Sequence, residues 1–284
     1  YENRGQEKLS YNPSNGHVLA KFSWHNQVLG DACKSAEQAF SLLGECSFAE
    51  KVAHISKLRA YIQANEDLFI DAMRLEAGKP LWEARKECQK ATDYLSYVLA
   101  SKDQLMDSLL AVANLQQNSK VRIKARALGI CAGYLSFTGV LTSYLTYAVA
   151  SILTGCPLIV FSSTQGCLQA YLLAEMEKEL MQVPGALSLV FGGYEEFRLV
   201  SAMESIRAVF YTGSKEHCDL LHTELKEDRS RQLVLQSGGK NTPERLRSLH
   251  RAVRTGSVDV VKMLIGAGAD ANAKTADGET ALYL

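Results

Sequence analysis

A long stretch of the chain, from Ala127 to Ala174, contains no Asp, Glu, Lys or Arg. A segment of this kind is either a membrane span or the interior of a parallel sheet that is covered on both faces. Here glycines and Pro157 interrupt it, and it divides into β-rich runs at 129–135 and 158–161 around a helix-length segment. These interruptions favour the buried sheet, and a membrane hairpin over the same stretch is the least favoured interpretation.

From Leu128 onward, strand-like and helix-like segments alternate strictly. The strand-like segments are residues 129–135, 158–162, 186–191, 206–211 and 232–235, and the helix-like segments are 141–154, 168–181, 195–203 and 215–225. This spacing predicts right-handed βαβ units and therefore an α/β fold with a doubly wound, parallel, Rossmann-like sheet. Ligands of such sheets bind at the carboxyl ends of the strands, so we expect any chemistry in the strand-to-helix turns.

The residues before this region predict a more helical part of the fold. A strand is expected at 18–22, and helices are expected at 32–43, 49–64, 68–77 and 81–99. Gly78 stands where a helix end favours left-handed backbone, and Pro80 cannot continue that helix. Residues 111–126 fit a helix only weakly, and a hairpin is the alternative there.

Composition restricts the classes of function. Apolar residues make up 47% of the chain and charged residues 22%, as in soluble globular proteins with a real core. Lys and Arg number 31 and balance 31 Asp and Glu without a basic run, so nucleic acid is not an expected partner. The seven cysteines are scattered and odd in number. This usage indicates reduced thiols in a cytoplasmic protein rather than a disulfide framework.

The two ends of the chain and its isolated polar residues give weaker expectations. The polar start Tyr1–Gly5 lacks a signal segment and an initiator Met, and the chain stops at Leu284 inside a motif, so we expect a fragment. The pair His217–Cys218 has no partner pair at zinc-like spacing, so no metal is expected. Lys79 is expected to be a solvated charge at a helix end.

Three cysteines lie within the charge-free stretch: Cys131, Cys156 and Cys167. Their apolar surroundings predict buried, unreactive thiols, because a thiolate needs a polar or positive environment.

Several short motifs occur in a fixed order along the chain. They are EAGKP at 76–80, LGI at 128–130, VPG at 183–185, YTGS at 211–214 and LQSGGKN at 235–241. From about Tyr11 to Asn241 the chain resembles the N-terminal half of the aldehyde dehydrogenases, and the succinate-semialdehyde type is the nearest suggestion. The resemblance implies an NAD- or NADP-dependent ancestor with its cofactor at the sheet edge.

The catalytic positions implied by the resemblance are altered. Thr138 stands where the family has the asparagine that helps to hold the oxyanion, and Gln236 replaces the general-base glutamate. An amide cannot accept a proton near neutral pH, so general-base catalysis is lost. The family's nucleophilic cysteine follows this motif, whereas here no cysteine occurs after Cys218. We therefore expect no intact catalytic residue.

The cofactor-binding positions implied by the resemblance are altered as well. Phe161 replaces the lysine that grips the adenosine ribose, Thr164 replaces a glutamate that often assists it, and Cys218 replaces a second glycine. A phenyl ring cannot hydrogen-bond ribose hydroxyls. Gly213 and Ser214 still open a helix whose amides suit an anion. We expect no cofactor, or NAD or NADP if the enzymatic alternative holds.

The remaining residues, 242–284, resemble an ankyrin repeat followed by the start of a second. Thr242-Pro243-Glu244 is a strong helix start, LHRA at 249–252 matches the repeat's signature, and DGETAL at 277–282 opens the next unit. We therefore expect an aldehyde dehydrogenase-like half at 1–241 and an ankyrin segment at 242–284. One repeat cannot bury its own apolar face, so it needs further repeats or another surface.

These expectations favour a non-catalytic scaffold with a protein partner on its ankyrin segment, and a homo-oligomer is possible. The alternative is an NAD(P)-dependent aldehyde oxidoreductase of the succinate-semialdehyde type, represented by a divergent or truncated chain. No membrane partner is expected.

Overall fold

The structure, a computed structural model, describes residues 6–24, 27–114, 120–124, 126–228 and 230–238. The predicted ankyrin segment and the predicted boundary at 241 lie outside these residues. The strands are β1 (Gln6–Tyr11), β2 (Val18–Trp24), β3 (Leu110–Asn114), β4 (Lys120–Lys124), β5 (Ile130–Leu135), β6 (Leu158–Ser162), β7 (Leu187–Phe191), β8 (Ile206–Ser214) and β9 (Gln232–Gly238).

The helices lie between these strands, and the apolar periodicity predicts all of them except α5. They are α1 (Gln27–Glu45), α2 (Phe48–Ala64), α3 (Glu66–Glu76), α4 (Leu81–Ala100), α5 (Lys102–Leu109), α6 (Val140–Thr154), α7 (Cys167–Leu180), α8 (Tyr194–Ser201) and α9 (Lys215–Leu225). Ser47 begins α2 with a capping box, because its hydroxyl accepts from the Glu50 amide and the Glu50 carboxylate accepts from the Ser47 amide.

The central sheet has five strands in the order β7-β6-β5-β8-β9, and all neighbours are parallel. The order reverses at β5, where the chain first builds outward to β7 and then crosses back to β8. Helices cover both faces, so the predicted doubly wound α/β sheet is confirmed.

The charge-free stretch forms the interior of this sheet. Its strands alternate between two cores: Cys131, Leu158 and Val160 face a core with α2, α3, α4, α6 and α7. Ala132 and Phe161 face a second core with α1, α8 and α9. Because both faces are covered, neither register position needs a charged residue. Among the described helices, none is both long and apolar enough to cross a bilayer.

Four strands differ from the sequence expectation or decide between its alternatives. Residues 111–126 contain the antiparallel pair β3 and β4, so the hairpin alternative is confirmed there and the helix is wrong. Strand β1 was missed because its sequence QEKLSY lacks apolar alternation, and its backbone bonds come from β2. Strand β8 extends three residues beyond the predicted end at Tyr211, because Thr212–Ser214 pair with Gln236–Gly238 of β9.

Glu76, the first residue of the EAGKP motif, connects three parts of the fold. Its carboxylate accepts hydrogen bonds from the Leu168 amide at 2.8 Å, the Gln169 amide at 3.2 Å and the Ser10 hydroxyl at 2.8 Å. The two amides belong to the first turn of α7, where a negative charge is favourable. Burial is the largest influence on this carboxyl and raises its pKa, while the bonds from Leu168, Ser10 and Gln169 lower it.

Lys79 from the same motif is not a solvated helix-end charge, and that expectation is wrong. Its ammonium pairs with the Glu87 carboxylate of α4, and both side chains are nearly buried. The sequence shows a Lys after a helix end but does not show that α4 packs over it, and this packing removes water from the charge.

Candidate functional site

The predicted site residues lie in the last residues of β6, β8 and β9 or shortly after β5, β6 and β8, and these carboxyl ends all lie on one edge of the sheet. Register places Thr212 beside Gln236 and Gly213 beside Ser237. Strand β5 lies on the other side of β8 from β9, and Thr138 follows it in the turn before α6. At a strand spacing of about 4.8 Å, β5 and β9 are roughly 10 Å apart.

The two predicted catalytic positions occupy different environments. The Thr138 hydroxyl lies 3.0 Å from the Ser136 hydroxyl within the turn after β5. Gln236 is exposed on β9, where its strand partner Thr212 shares a 2.7 Å hydrogen bond with the Tyr147 hydroxyl of α6. The Gln236 side chain therefore lies in contact with solvent, and an amide there can donate or accept hydrogen bonds but cannot remove a proton.

Phe161 does not line the crevice at the sheet edge. Its side chain is fully buried in the second core, and its ring centroid lies 5.8 Å from that of Phe197 in an edge-on arrangement. Strand alternation explains this position, because Ile159 and Phe161 share the face covered by α8. The backbone of Thr164 begins a one-turn 3₁₀ helix before α7, and its side chain lies outside the described part of the structure.

Aromatic side chains cluster between β5, β8 and α8, where the second core reaches the carboxyl edge of the sheet. The cluster comprises Tyr134, Tyr194, Phe197, Tyr211 and His217 and is called here the aromatic cluster. Tyr134 and Tyr211 stack with centroids 5.5 Å apart, and Tyr194 stacks on His217 at 3.7 Å. The Tyr211 hydroxyl and His217 Nδ1 are 3.2 Å apart. These contacts connect β5 and β8, where the strand order reverses, to the first turn of α9.

Tyr211 also determines the space around Gly213. A Cβ at Gly213 would collide with the Tyr211 hydroxyl, because the phenol bends over the residue two positions along the strand. Burial raises the pKa of Tyr211, and burial likewise raises the pKa of Tyr194 to about 12. Both phenols are therefore neutral near pH 7, and they contribute bulk and hydrogen bonds to the crevice rather than charge.

The start of α9 is partly satisfied by the chain itself. The Ser214 hydroxyl accepts a hydrogen bond from the His217 amide at 3.3 Å. Glu216 places a carboxylate in the same first turn. A phosphate would compete with the Ser214 cap and meet this negative charge. Cys218 is buried below, and burial raises the pKa of its thiol, with Asp219 adding to the effect.

Only part of the aromatic cluster could be recognised from the sequence. The YTGS motif shows a tyrosine where the family resemblance has phenylalanine, and the additional oxygen is the atom beside Gly213. Tyr134, Tyr194 and His217 carried no motif, and only packing brings them together. Within the described ranges, no group of three or more His, Cys, Asp and Glu is arranged to hold a metal ion.

Two family models match the chain. The Aldehyde dehydrogenase family model matches residues 1–243, and a model of ankyrin repeats (many copies) matches residues 230–284. Among curated relatives, N-succinylglutamate 5-semialdehyde dehydrogenase of Escherichia coli O157:H7 is 26% identical over 246 residues, covering 84% of this chain and 48% of the relative. The chain spans about half the length of the curated relatives it matches.

Solved structures show the same fold. An aldehyde dehydrogenase from Brucella melitensis biovar abortus 2308 has a TM-score of 0.75 and 21% identity, covering 83% of this chain and 48% of its own. Succinic semialdehyde dehydrogenase from Streptococcus pyogenes, in complex with NADP+, has a TM-score of 0.73 and 18% identity, covering 82% of this chain and 51% of its own. At these identities the likeness concerns architecture.

Proposed function

The chain belongs to the aldehyde dehydrogenase family, and on that premise we propose that it is a non-catalytic scaffold joined to an ankyrin module that binds another protein. The proposal divides the chain near residue 241, between a dehydrogenase-like half and the ankyrin segment 242–284. It also places the protein in the cytoplasm, because all seven cysteines are free.

The aromatic cluster is the observation that carries the proposal. Dinucleotides bind doubly wound sheets in the crevice where the strand order reverses, and glycines there let the backbone approach the phosphates. In this chain the Tyr211 hydroxyl occupies the space beside Gly213, and Tyr194 stacks on His217 in the first turn of α9. These contacts support the proposal that this edge of the sheet does not bind a nicotinamide dinucleotide.

The ribose-gripping and catalytic positions support the same conclusion. Phe161 is buried among apolar side chains and presents no hydrogen-bonding group to a ribose. Gln236 is exposed and carries an amide in place of a general base. Neither position supplies the chemistry of aldehyde oxidation, which needs a bound hydride acceptor and an activated nucleophile.

The ankyrin segment supplies the proposed activity. Ankyrin units stack side by side and present a concave surface of helices and hairpin tips, to which other proteins bind. The ankyrin model matches residues 230–284 and overlaps the end of the dehydrogenase match, which extends to residue 243. We propose that another protein binds this segment. In a homo-oligomer the partner is a second copy of the chain, bound through the apolar face that a single repeat cannot bury by itself.

Enzyme assays test the proposal directly. The full chain is incubated with NAD or NADP and a panel of aldehydes that includes succinate semialdehyde and N-succinylglutamate semialdehyde, and the absorbance of reduced cofactor is followed. We expect no turnover above a protein-free blank. Turnover that disappears in the Gln236→Ala variant would contradict the non-catalytic function.

The second candidate function is an NAD(P)-dependent aldehyde oxidoreductase. It is favoured by the names of the matched relatives, which are semialdehyde dehydrogenases, and by the NADP+ in the Streptococcus pyogenes structure. The two functions differ in cofactor affinity. Micromolar binding of NAD or NADP by the full chain would favour the oxidoreductase even if the substrate were unknown.

A further inference from the structure

A cavity of about 280 Å³ lies at the amino edge of the sheet, opposite the crevice described above. It is formed where β5 and β8 begin and where α6 ends. Its lining is mainly apolar and includes Phe210, together with Arg126, Ser151 and Thr154 and the two cysteines Cys131 and Cys156. This volume is several times the roughly 30 Å³ that one water occupies in the liquid, so small polar molecules fit.

The fold brings the two cysteines together from different elements. Cys131 is the second residue of β5 and faces the core with α6. Cys156 follows Gly155, whose left-handed φ of 75° ends α6 and turns the chain towards β6. The Cys131 amide donates to the Pro157 carbonyl at 2.7 Å, which places the start of β5 beside Cys156. Both side chains reach the cavity although each residue is at most 3% exposed.

The surroundings of Cys156 favour its thiolate. Interaction with Cys131 is the largest influence and lowers the pKa of Cys156 to about 5; Thr154 and the backbone at Gly129 and Leu128 act in the same direction, and burial acts in the opposite one. Interaction with Cys156, together with burial, raises the pKa of Cys131, whose thiol donates to the Gly129 carbonyl at 3.8 Å.

Other buried cysteines of the chain lack this environment. Burial raises the pKa of Cys88 to about 12 and does the same for Cys167. A thiolate is the reactive form of cysteine, and its resolving partner must be within reach. Sequence context does not distinguish Cys131 and Cys156 from Cys167, because all three lie in the charge-free stretch, and only geometry places the first two at one cavity.

We propose that Cys131 and Cys156 form a peroxide-sensitive dithiol site in this cavity. The Cys156 thiolate attacks one oxygen of hydrogen peroxide, the O–O bond breaks, and hydroxide leaves. Cys156 thereby becomes a sulfenic acid. The Cys131 sulfur then attacks the Cys156 sulfur, the S–O bond breaks, and the hydroxyl group leaves with the Cys131 proton as water. In total, two electrons pass from the two thiols to the peroxide, and one disulfide forms.

The test uses the full chain, treated with hydrogen peroxide at pH 7 and then denatured for thiol counting. We expect the number of free thiols to fall by two from seven. Chymotrypsin is the suitable protease for mapping, because the chain has no Lys or Arg between Ala127 and Ala174 and trypsin would leave both cysteines in one peptide. Cleavage after aromatic residues separates them, and mass spectrometry should find the Cys131–Cys156 linkage.

Single variants separate the two roles. Cys131→Ser should accumulate a sulfenic acid at Cys156 that dimedone traps, and Cys156→Ser should leave Cys131 reduced. The matched control Cys88→Ser should still lose two thiols. At pH 7 Cys156 should be oxidised at least ~10-fold faster than Cys88, since a thiol of ordinary pKa is only a few per cent ionised.

Three results would overturn the proposal. They are an unchanged thiol count in the native chain, a linkage between other cysteines, and equal oxidation of the chain with and without Cys156. Dimedone labelling of the native chain at early times gives the same answer without substitution. Circular dichroism identifies any variant that fails to fold, and for such a variant the native-chain measurements decide.

Discussion

The phenol of Tyr211 bends back over Gly213, so that its hydroxyl fills the space that a Cβ at Gly213 would need. The two residues lie two positions apart on β8 and therefore share a face of the strand. This contact accounts for the glycine by packing within the chain, because the neighbouring side chain leaves no room for a larger residue.

Substitution of Gly213 tests this relationship. We expect Gly213→Ala to destabilise the fold by about 1–3 kcal/mol, because the added methyl group overpacks the crevice. In a Tyr211→Leu background the same substitution should cost less, since the ring is gone. Urea denaturation measures the four free energies of unfolding. Gly44→Ala is the control, because a Cβ there meets nothing within 4 Å and alanine favours α1; equal costs in both backgrounds would contradict the contact.

Calorimetric titration tests dinucleotide binding. We expect the native chain to bind NAD and NADP weakly or not at all, because losing a hydrogen bond from a charged donor costs about 1.5–3 kcal/mol. This corresponds to roughly one to two decades in affinity. The double variant Phe161→Lys with Thr164→Glu restores the family's residue types, but residue 161 faces the second core, so we expect no gain in affinity from it. A micromolar dissociation constant for the native chain would count against the scaffold function.

Because Phe161 is buried, substitution at this position should also change the stability of the fold. A lysine at this position would place an ammonium group among the apolar side chains of the second core. We expect Phe161→Lys to lower the free energy of unfolding by about 3 kcal/mol or more, and the smaller but still apolar Phe161→Leu by about 1 kcal/mol. Equal stability of the two variants would show that residue 161 reaches solvent.

Removal of the Glu76 carboxylate should weaken the junction between α3, β1 and α7. We expect Glu76→Ala to cost about 1–3 kcal/mol for each amide of α7 that is left unsatisfied, while Glu76→Gln keeps an acceptor and costs less. Urea denaturation of both variants measures this difference. Glu37→Ala on the exposed face of α1 is the matched control and should change stability by less than about 0.5 kcal/mol.

The same residue predicts a pH dependence. Burial raises the pKa of Glu76 in the folded state above its ordinary value of 4.5, so the folded chain holds this proton more tightly than the unfolded chain. The stability that comes from this tighter proton binding is fully present below pH 4.5 and is lost as the pH rises through the folded pKa. Raising the pH from 4 to 8 should therefore lower the free energy of unfolding of the native chain relative to that of Glu76→Gln. An unchanged difference between the two chains would place the carboxyl in contact with water.

The ankyrin segment should separate from the dehydrogenase-like half. We expect a chain cut at Asn241 to keep the far-ultraviolet circular dichroism of the parallel sheet and to lose self-association at high concentration. The physical reason is the apolar face of Val260, Val261, Leu264 and Ile265, which a repeat buries only against a neighbour. Analytical ultracentrifugation compares the two chains, and an intact chain that stays monomeric would show that this face is covered within the molecule.

The sequence by itself predicted the central fold, and the reason is its periodicity. Continuous apolar runs such as 158–162 alternate with helix-length segments, and this pattern has few packed solutions other than a covered parallel sheet. The observed bounds of β6, Leu158–Ser162, agree with that prediction, and those of α6 differ from the prediction by one residue. The family resemblance likewise followed from ordered motifs, and the family match confirms it.

Tertiary structure alone decided what the side chains of these motifs do. Phe161 was predicted as an altered crevice residue, yet strand alternation and α8 place it in the core. Lys79 was predicted to be solvated, yet α4 packs over it and supplies Glu87. Cys131 and Cys156 are distant in sequence, and only the pairing of β5 with β6 brings them to one cavity. Local sequence determines which segments form strands and helices, whereas water exclusion and contact between side chains depend on which elements pack together.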